Sequence, residues 1–221
     1  MTSALPIDVV SDVVCPWCYI GATRLEQALS ELGPSLEAEL CYHPFELDPS
    51  MPATGELLAD KLRRKYGVDP RTLWGRVESA ARDSGLALDL SRQTMAYPTT
   101  AAHTLLRHAH PRGTQRGLMF ALFRAYFDDA LDIADPEVLA SLATGYGFAH
   151  EEAVQLVTSA VELDLTREQA RSATSGGIRG VPFFILGGRV AVSGAQTVSV
   201  LKAAIHEALS LQTPSELPSA S

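Results

Sequence analysis

The feature that most narrows the fold is Cys15-Pro16-Trp17-Cys18. It lies between the apolar run Ile7-Asp8-Val9-Val10 and a helical pattern with Leu25, Leu29 and Leu32 on one face. Two cysteines at this spacing, at the end of a strand and the mouth of a helix, are the layout of a redox dithiol. A helix N-terminus offers free N–H groups and a partial positive charge, and both favour a thiolate over a thiol. The expectation is that Cys15 stands exposed and acidified at that terminus as the nucleophile. Cys18, a turn further in, should lie deeper and resolve the mixed disulfide that Cys15 forms. Pro16 suits the first helical turn, where its missing N–H costs nothing. Two other readings compete. Both cysteines can be small buried hydrophobes. They can also be half of a zinc site, but that needs four ligands; Cys41 is the only other cysteine and no histidine stands at finger-like spacing from it.

Composition sets the class. The chain has 221 residues, 46% hydrophobic and 20% charged, which suits one large or two small globular domains. A net charge of −8 leaves no electrostatic footprint for nucleic acid or an anionic membrane. No apolar run approaches membrane-spanning length. Met1-Thr2-Ser3-Ala4-Leu5-Pro6 has neither a basic start nor a long apolar core, so no secretory signal is read there. The expected compartment is the cytoplasm, where a dithiol is catalytic more often than structural.

Along the chain, Ile7–Val14 reads as a buried strand interrupted by Asp8 and Asp12. An acid here is either solvated at the strand end or a proton relay to Cys18. The helix after the dithiol stops at Gly33-Pro34. Leu36–Tyr42 alternates as a second strand, with Cys41 as an inert buried thiol. From Gly55 to about Gly176 the pattern is helical throughout. Asp69-Pro70 and Asp135-Pro136 are capped starts, and further helices span 99–110, 116–129, 151–160 and 164–174. Phe120, Phe123, Tyr126 and Phe127 read as core, or else as the lining of an apolar groove. His103, His108 and His110 share a helix with no evident carboxylate or cysteine partner, so no metal is assigned. Phe183–Leu186, the turn Gly187-Gly188 and Arg189–Val192 form a hairpin. Ser193-Gly194-Ala195-Gln196 opens a last helix, and a Pro/Ser-rich tail follows over 212–221.

Val181-Pro182 starts that hairpin. A cis bond there would turn the Val181 backbone toward an extended substrate, whereas a trans proline at a strand start would be ordinary; the pattern admits both.

The strand–CPWC–helix opening, Gly180-Val181-Pro182-Phe183-Phe184 and Val192-Ser193-Gly194-Ala195-Gln196 resemble DsbA-like thioredoxin-fold oxidoreductases. The similarity is nearest to the FrnE-like branch, related to 2-hydroxychromene-2-carboxylate isomerases. Phe45–Pro52, Thr99-Thr100-Ala101-Ala102-His103 and Tyr126–Asp135 share in it, and it covers residues 5 to 210. Pro98 departs from the branch, which carries Asn there. The resemblance implies an α/β, thioredoxin-like domain (5–54 and 175–211) split by an all-helical insertion (55–174). It also implies Cys15 as nucleophile, Cys18 as resolving thiol and Pro182 in cis, with Pro16, Trp17 and Val181 touching substrate. The insertion is expected to cover the dithiol and enlarge the groove.

The expected activity is exchange with protein or small-molecule disulfides. No cofactor is bound tightly, glutathione or thioredoxin is the candidate redox partner, and a second copy of the chain is a candidate partner. Trp17, neutral and bulky, predicts a milder oxidant than a DsbA with His at that position. The alternative is a glutathione-dependent isomerase, whose relatives keep the fold but lose the paired cysteines. A non-catalytic binding module is a third.

Overall fold

The computed structural model describes residues 4–212. The readings of Met1–Ser3 and of the tail beyond Gln212 therefore lie outside the described residues.

Strand β1 (Leu5–Ser11) feeds directly into helix α1 (Pro16–Leu32), and β2 (Ala38–Pro44) follows. After a long intervening block come the hairpin strands β5 (Phe183–Leu186) and β6 (Val190–Ser193), then helix α9 (Val198–Gln212). The sheet order is β2-β1-β5-β6. β1 runs parallel to β2 and antiparallel to β5, so Asp8 stands opposite both Cys41 and Ile185. Alternation along the strands sends Leu5, Ile7, Val9, Tyr42, Phe184 and Leu186 into the core, as a period of two requires. The hairpin turn has Gly187 at φ 59° and Gly188 at φ 68°, the paired left-handed geometry that a two-residue turn demands. Edge strand β2 is closed by a side chain. The amide of Gln115 accepts from Tyr42 N and donates to Tyr42 O, both at 2.8 Å, standing in for the missing strand.

The intervening block holds α2 (Leu58–Tyr66), α3 (Pro70–Arg82), α4 (Thr100–Ala109), α5 (Gln115–Phe127), α6 (Pro136–Thr144), α7 (His150–Thr158) and α8 (Ala160–Ser175). Asp69 and Asp135 cap their helices by accepting from Arg71 N and Glu137 N, each ahead of an N1 proline. Arg24 on α1 ties the block down, donating to Ser84 Oγ, Ala80 O and, beyond the block, Ala195 O.

Three expectations need correction. The block is not helical throughout: β3 (Glu56–Leu57) and β4 (Met95–Ala96) pair as a small antiparallel ribbon. Gly55, at φ 69°, lies so close to Ala96 O that a Cβ would sit 2.5 Å from it. The stretch before β4 is held by side chains rather than helix bonds, with Leu90 N donating to Glu78 and the Gln93 amide joining Tyr126 O to Met95 N. α8 begins at Ala160 rather than Asp164, because Ser159 caps Glu162 N. α9 begins at Val198 rather than at Ser193. Gly194, at φ 80°, donates to Pro182 O, and the chain turns once more before the helix starts.

Gly21 fixes how α1 meets the hairpin. A Cβ there would lie 2.7 Å from Pro182 Cγ and 3.2 Å from Phe184 Cζ. Gly21→Ala is expected to cost about 1–3 kcal/mol by overpacking, read as a lower urea midpoint at constant slope. An unchanged midpoint would mean that this contact does not set the spacing.

Candidate functional site

Cys15 is the N-cap of α1, and Pro16 occupies its first turn. Cys15 O accepts from Cys18 N at 2.9 Å and from Tyr19 N at 3.2 Å, so the two cysteines occupy one turn. Both are free thiols. The Cys15 side chain makes no capping bond; its Sγ instead points across the chain to Val181 O, 3.9 Å away. The Val181–Pro182 peptide bond is cis.

Cys15 is 4% exposed, against the expectation that it stands open. The reason is the block of helices, which roofs the dithiol and leaves a cavity of about 460 Å³. Cys15, Pro16, Trp17 and Val181 form its floor; Leu62, Trp74 and Tyr97 are among the residues of its far wall. The aromatic set takes both of its roles, since Tyr126 and Phe127 are buried and also reach the cavity. Phe123 is core, stacked on Tyr19 with ring centroids 4.9 Å apart.

Cys18 is enclosed behind Cys15. Burial pushes its thiol well above the ordinary value, and the hydrogen bond and charge of Cys15 push it further. Asp12 N donates to Cys18 Sγ at 3.5 Å, and the Ser11 hydroxyl also favours the charged sulfur.

Asp12 is 1% exposed, so its solvated reading fails. It is a buried carboxylate that lines the cavity, accepts from Leu47 N at 2.8 Å and meets His103 Nε2 at 3.4 Å. That Nε2 also lies 3.2 Å from Phe45 O. Both neighbours are acceptors, which places a proton on Nε2. His103 and His108 do have carboxylate partners, brought from distant segments: Asp12 for the first, and Glu162, 2.9 Å away, for the second. No helix period reveals pairs across such separations.

Cationic groups mark the cavity rim. Lys61 pairs with Asp48 and lies 3.5 Å from Glu56, whereas Lys65 and Arg76 line the cavity without a carboxylate in ion-pair range among the described residues. Lys61, together with Ser50, holds Asp48 down at about 2. A depressed carboxyl stabilises the fold above its ordinary value, and that contribution fades as pH falls through 2. Lys61→Met is expected to move the Asp48 midpoint up toward about 3.9 in an NMR titration; an unmoved midpoint would contradict the pairing.

Cys41, expected to be buried and inert, is half-buried on the outer face of β2. His43 and Asp8 stand beside it, with His43 Nε2 2.7 Å from Asp8 Oδ1. His43 is raised to about 9, first by the hydrogen bond with Cys41 and then, against the opposing effect of burial, by Asp8. Finger-like spacing was the wrong template for this group. Two positions apart on a strand, with a cross-strand partner, is the pattern that finds it.

Comparison with known proteins agrees with this architecture. The family model for the DSBA-like thioredoxin domain matches residues 6–206. The probable DsbA oxidoreductase of Streptomyces coelicolor is 32% identical, with a TM-score of 0.82 over 96% of this chain and 93% of that one. A 2-hydroxychromene-2-carboxylate isomerase shares the fold at 16% identity and a TM-score of 0.71, over 91% of this chain and 95% of that one. The cytosolic disulfide reductase DsbM of Pseudomonas aeruginosa, solved with glutathione, shares it at 19% identity and 0.62, over 93% and 96%. Among the described residues no helix is long and apolar enough to cross a membrane.

Proposed function

The chain belongs to the family of DSBA-like thioredoxin domains, and from that premise we propose that it exchanges disulfides of proteins or small molecules through Cys15 and Cys18. The observation that carries the reading is the order of the two sulfurs: Cys15 in the cavity wall beside Val181 O, Cys18 enclosed behind it.

The Cys15 thiolate attacks one sulfur of a substrate disulfide, forming a mixed disulfide and releasing the other sulfur as a thiolate. Cys18 then loses its proton and attacks Cys15 Sγ. A Cys15–Cys18 disulfide forms and the second substrate thiolate leaves; the reverse sequence oxidises a dithiol. Cys18 needs help at this step, because burial opposes its ionisation. Asp12, whose backbone N–H reaches Cys18 Sγ at 3.5 Å and whose carboxylate meets His103, is the proton acceptor we assign to it. The Val181 backbone and Pro182 hold the extended substrate, with Pro16 and Trp17 forming the floor. In this reading residues 5–54 and 175–211 form the thioredoxin unit and 55–174 the insertion that shapes the groove.

A cavity of about 460 Å³ is in the range of small-molecule sites. Lys65 and Arg76 on its rim suit the carboxylates of glutathione, which supports glutathione as redox partner. Isomerisation needs no resolving thiol, so the enclosed Cys18 favours exchange.

Insulin reduction with dithiothreitol is expected to proceed with the wild type and to fall at least a hundredfold in Cys15→Ser. Cys18→Ala should accumulate mixed disulfides, and Asp12→Asn should slow the resolving step at least tenfold. The dithiol potential is expected below the roughly −120 mV of DsbA. Full turnover by Cys15→Ser would overturn the exchange reading, and a potential at or above DsbA's would overturn the mild-oxidant reading.

A further inference from the structure

The outer face of the sheet carries a second group of reactive side chains that disulfide exchange does not use. Cys41 and His43 are two apart on β2 and so point the same way, while Asp8 on β1 is the register partner of Cys41. Ile7, Val9 and Tyr42 point to the other side, into the core. One donor atom from each of Asp8, Cys41 and His43 lies within 4.8 Å of the other two. The site is open to solvent, with the His43 side chain 44% and the Asp8 side chain 38% exposed.

We propose that Asp8, Cys41 and His43 form a binding site for a single divalent transition-metal ion of the zinc class, separate from the dithiol. The donor set is one thiolate sulfur, one imidazole nitrogen and one carboxylate oxygen. A thiolate selects zinc-class ions over magnesium and calcium, which prefer oxygen alone. Two anionic donors with a neutral imidazole balance a divalent charge. Zinc bonds of about 2.0–2.3 Å put tetrahedral donors roughly 3.3–3.8 Å apart. The three donors, all within 4.8 Å of one another, stand about an ångström from that spacing, and binding requires side-chain rotation to bring them in. The hydrogen bond of 2.7 Å between His43 Nε2 and Asp8 Oδ1 opens by about 0.6 Å, and the ion takes the place of its proton. Three protein ligands leave a coordination position to water or to an exogenous ligand, as in open rather than closed zinc sites. The backbone under the site is the hydrogen-bonded pair β1–β2, so the strands already hold the donors in register without the ion.

The test uses the full chain with Cys15→Ser and Cys18→Ser, which leaves Cys41 as the only thiol and separates this site from the exchange activity. Cobalt(II) added at pH 8 is expected to bind at one equivalent, with a near-ultraviolet thiolate-to-cobalt charge-transfer band, and zinc(II) should displace it. Adding Cys41→Ser should abolish the band. His43→Gln and Asp8→Asn, both at half-exposed positions, should each weaken binding at least tenfold with unchanged far-ultraviolet circular dichroism. Absence of the band overturns the proposal. So does a band whose affinity survives either His43→Gln or Asp8→Asn, because the sulfur is then a lone surface thiol rather than one donor of three.

Discussion

The site depends on the approach of the α1 N-terminus to the start of β5, two pieces of chain 166 residues apart at their contact. Cys15 Sγ faces Val181 O across this junction, and Gly21 lets Pro182 and Phe184 lie flat against the helix. Neither side makes a site alone. The helix end supplies a directed sulfur, and the turn into β5 supplies the backbone carbonyl that faces it. Strand β1 holds the two in place. It runs into α1 at one end and pairs with β5 through Ile7, Asp8, Val9 and Val10.

Part of the block between β2 and β5 roofs this junction. α2, α3, the ribbon β3–β4 and the end of α5 close over the dithiol and turn an open helix end into a cavity. Enclosure affects the two sulfurs differently. Cys15 keeps a face on the cavity, while Cys18 is buried among core residues and opposes ionisation. The buried Asp12–His103 pair lies beside this sulfur through the Asp12 backbone N–H, which donates to Cys18 Sγ at 3.5 Å. It exists because α4, within the block, brings His103 against the end of β1.

Much of this was legible in the chain. Cys15, Pro16 and Cys18 mark the helix start because strand period, proline and cysteine spacing agree locally. Asp69-Pro70, Asp135-Pro136 and Gly187-Gly188 mark caps and a turn for equally local reasons. Several of the failures share a cause. The β3–β4 ribbon rests on pairing between segments nearly forty residues apart. The burial of Cys15, the partner of His103 and the brace of Gln115 on Tyr42 all depend on contacts between distant segments. Cys41 was misread because alternation assigns a face of the sheet but does not say how well that face is covered.

The central claim is the order of the two sulfurs, and differential alkylation tests it directly. The native, reduced protein is treated with limiting iodoacetamide, and the modified cysteine is located by peptide mass spectrometry. Cys15 should react at least a hundredfold faster than Cys18, and Cys18 should label freely only in denaturant. Equal rates, or Cys18 reacting first, would contradict the account.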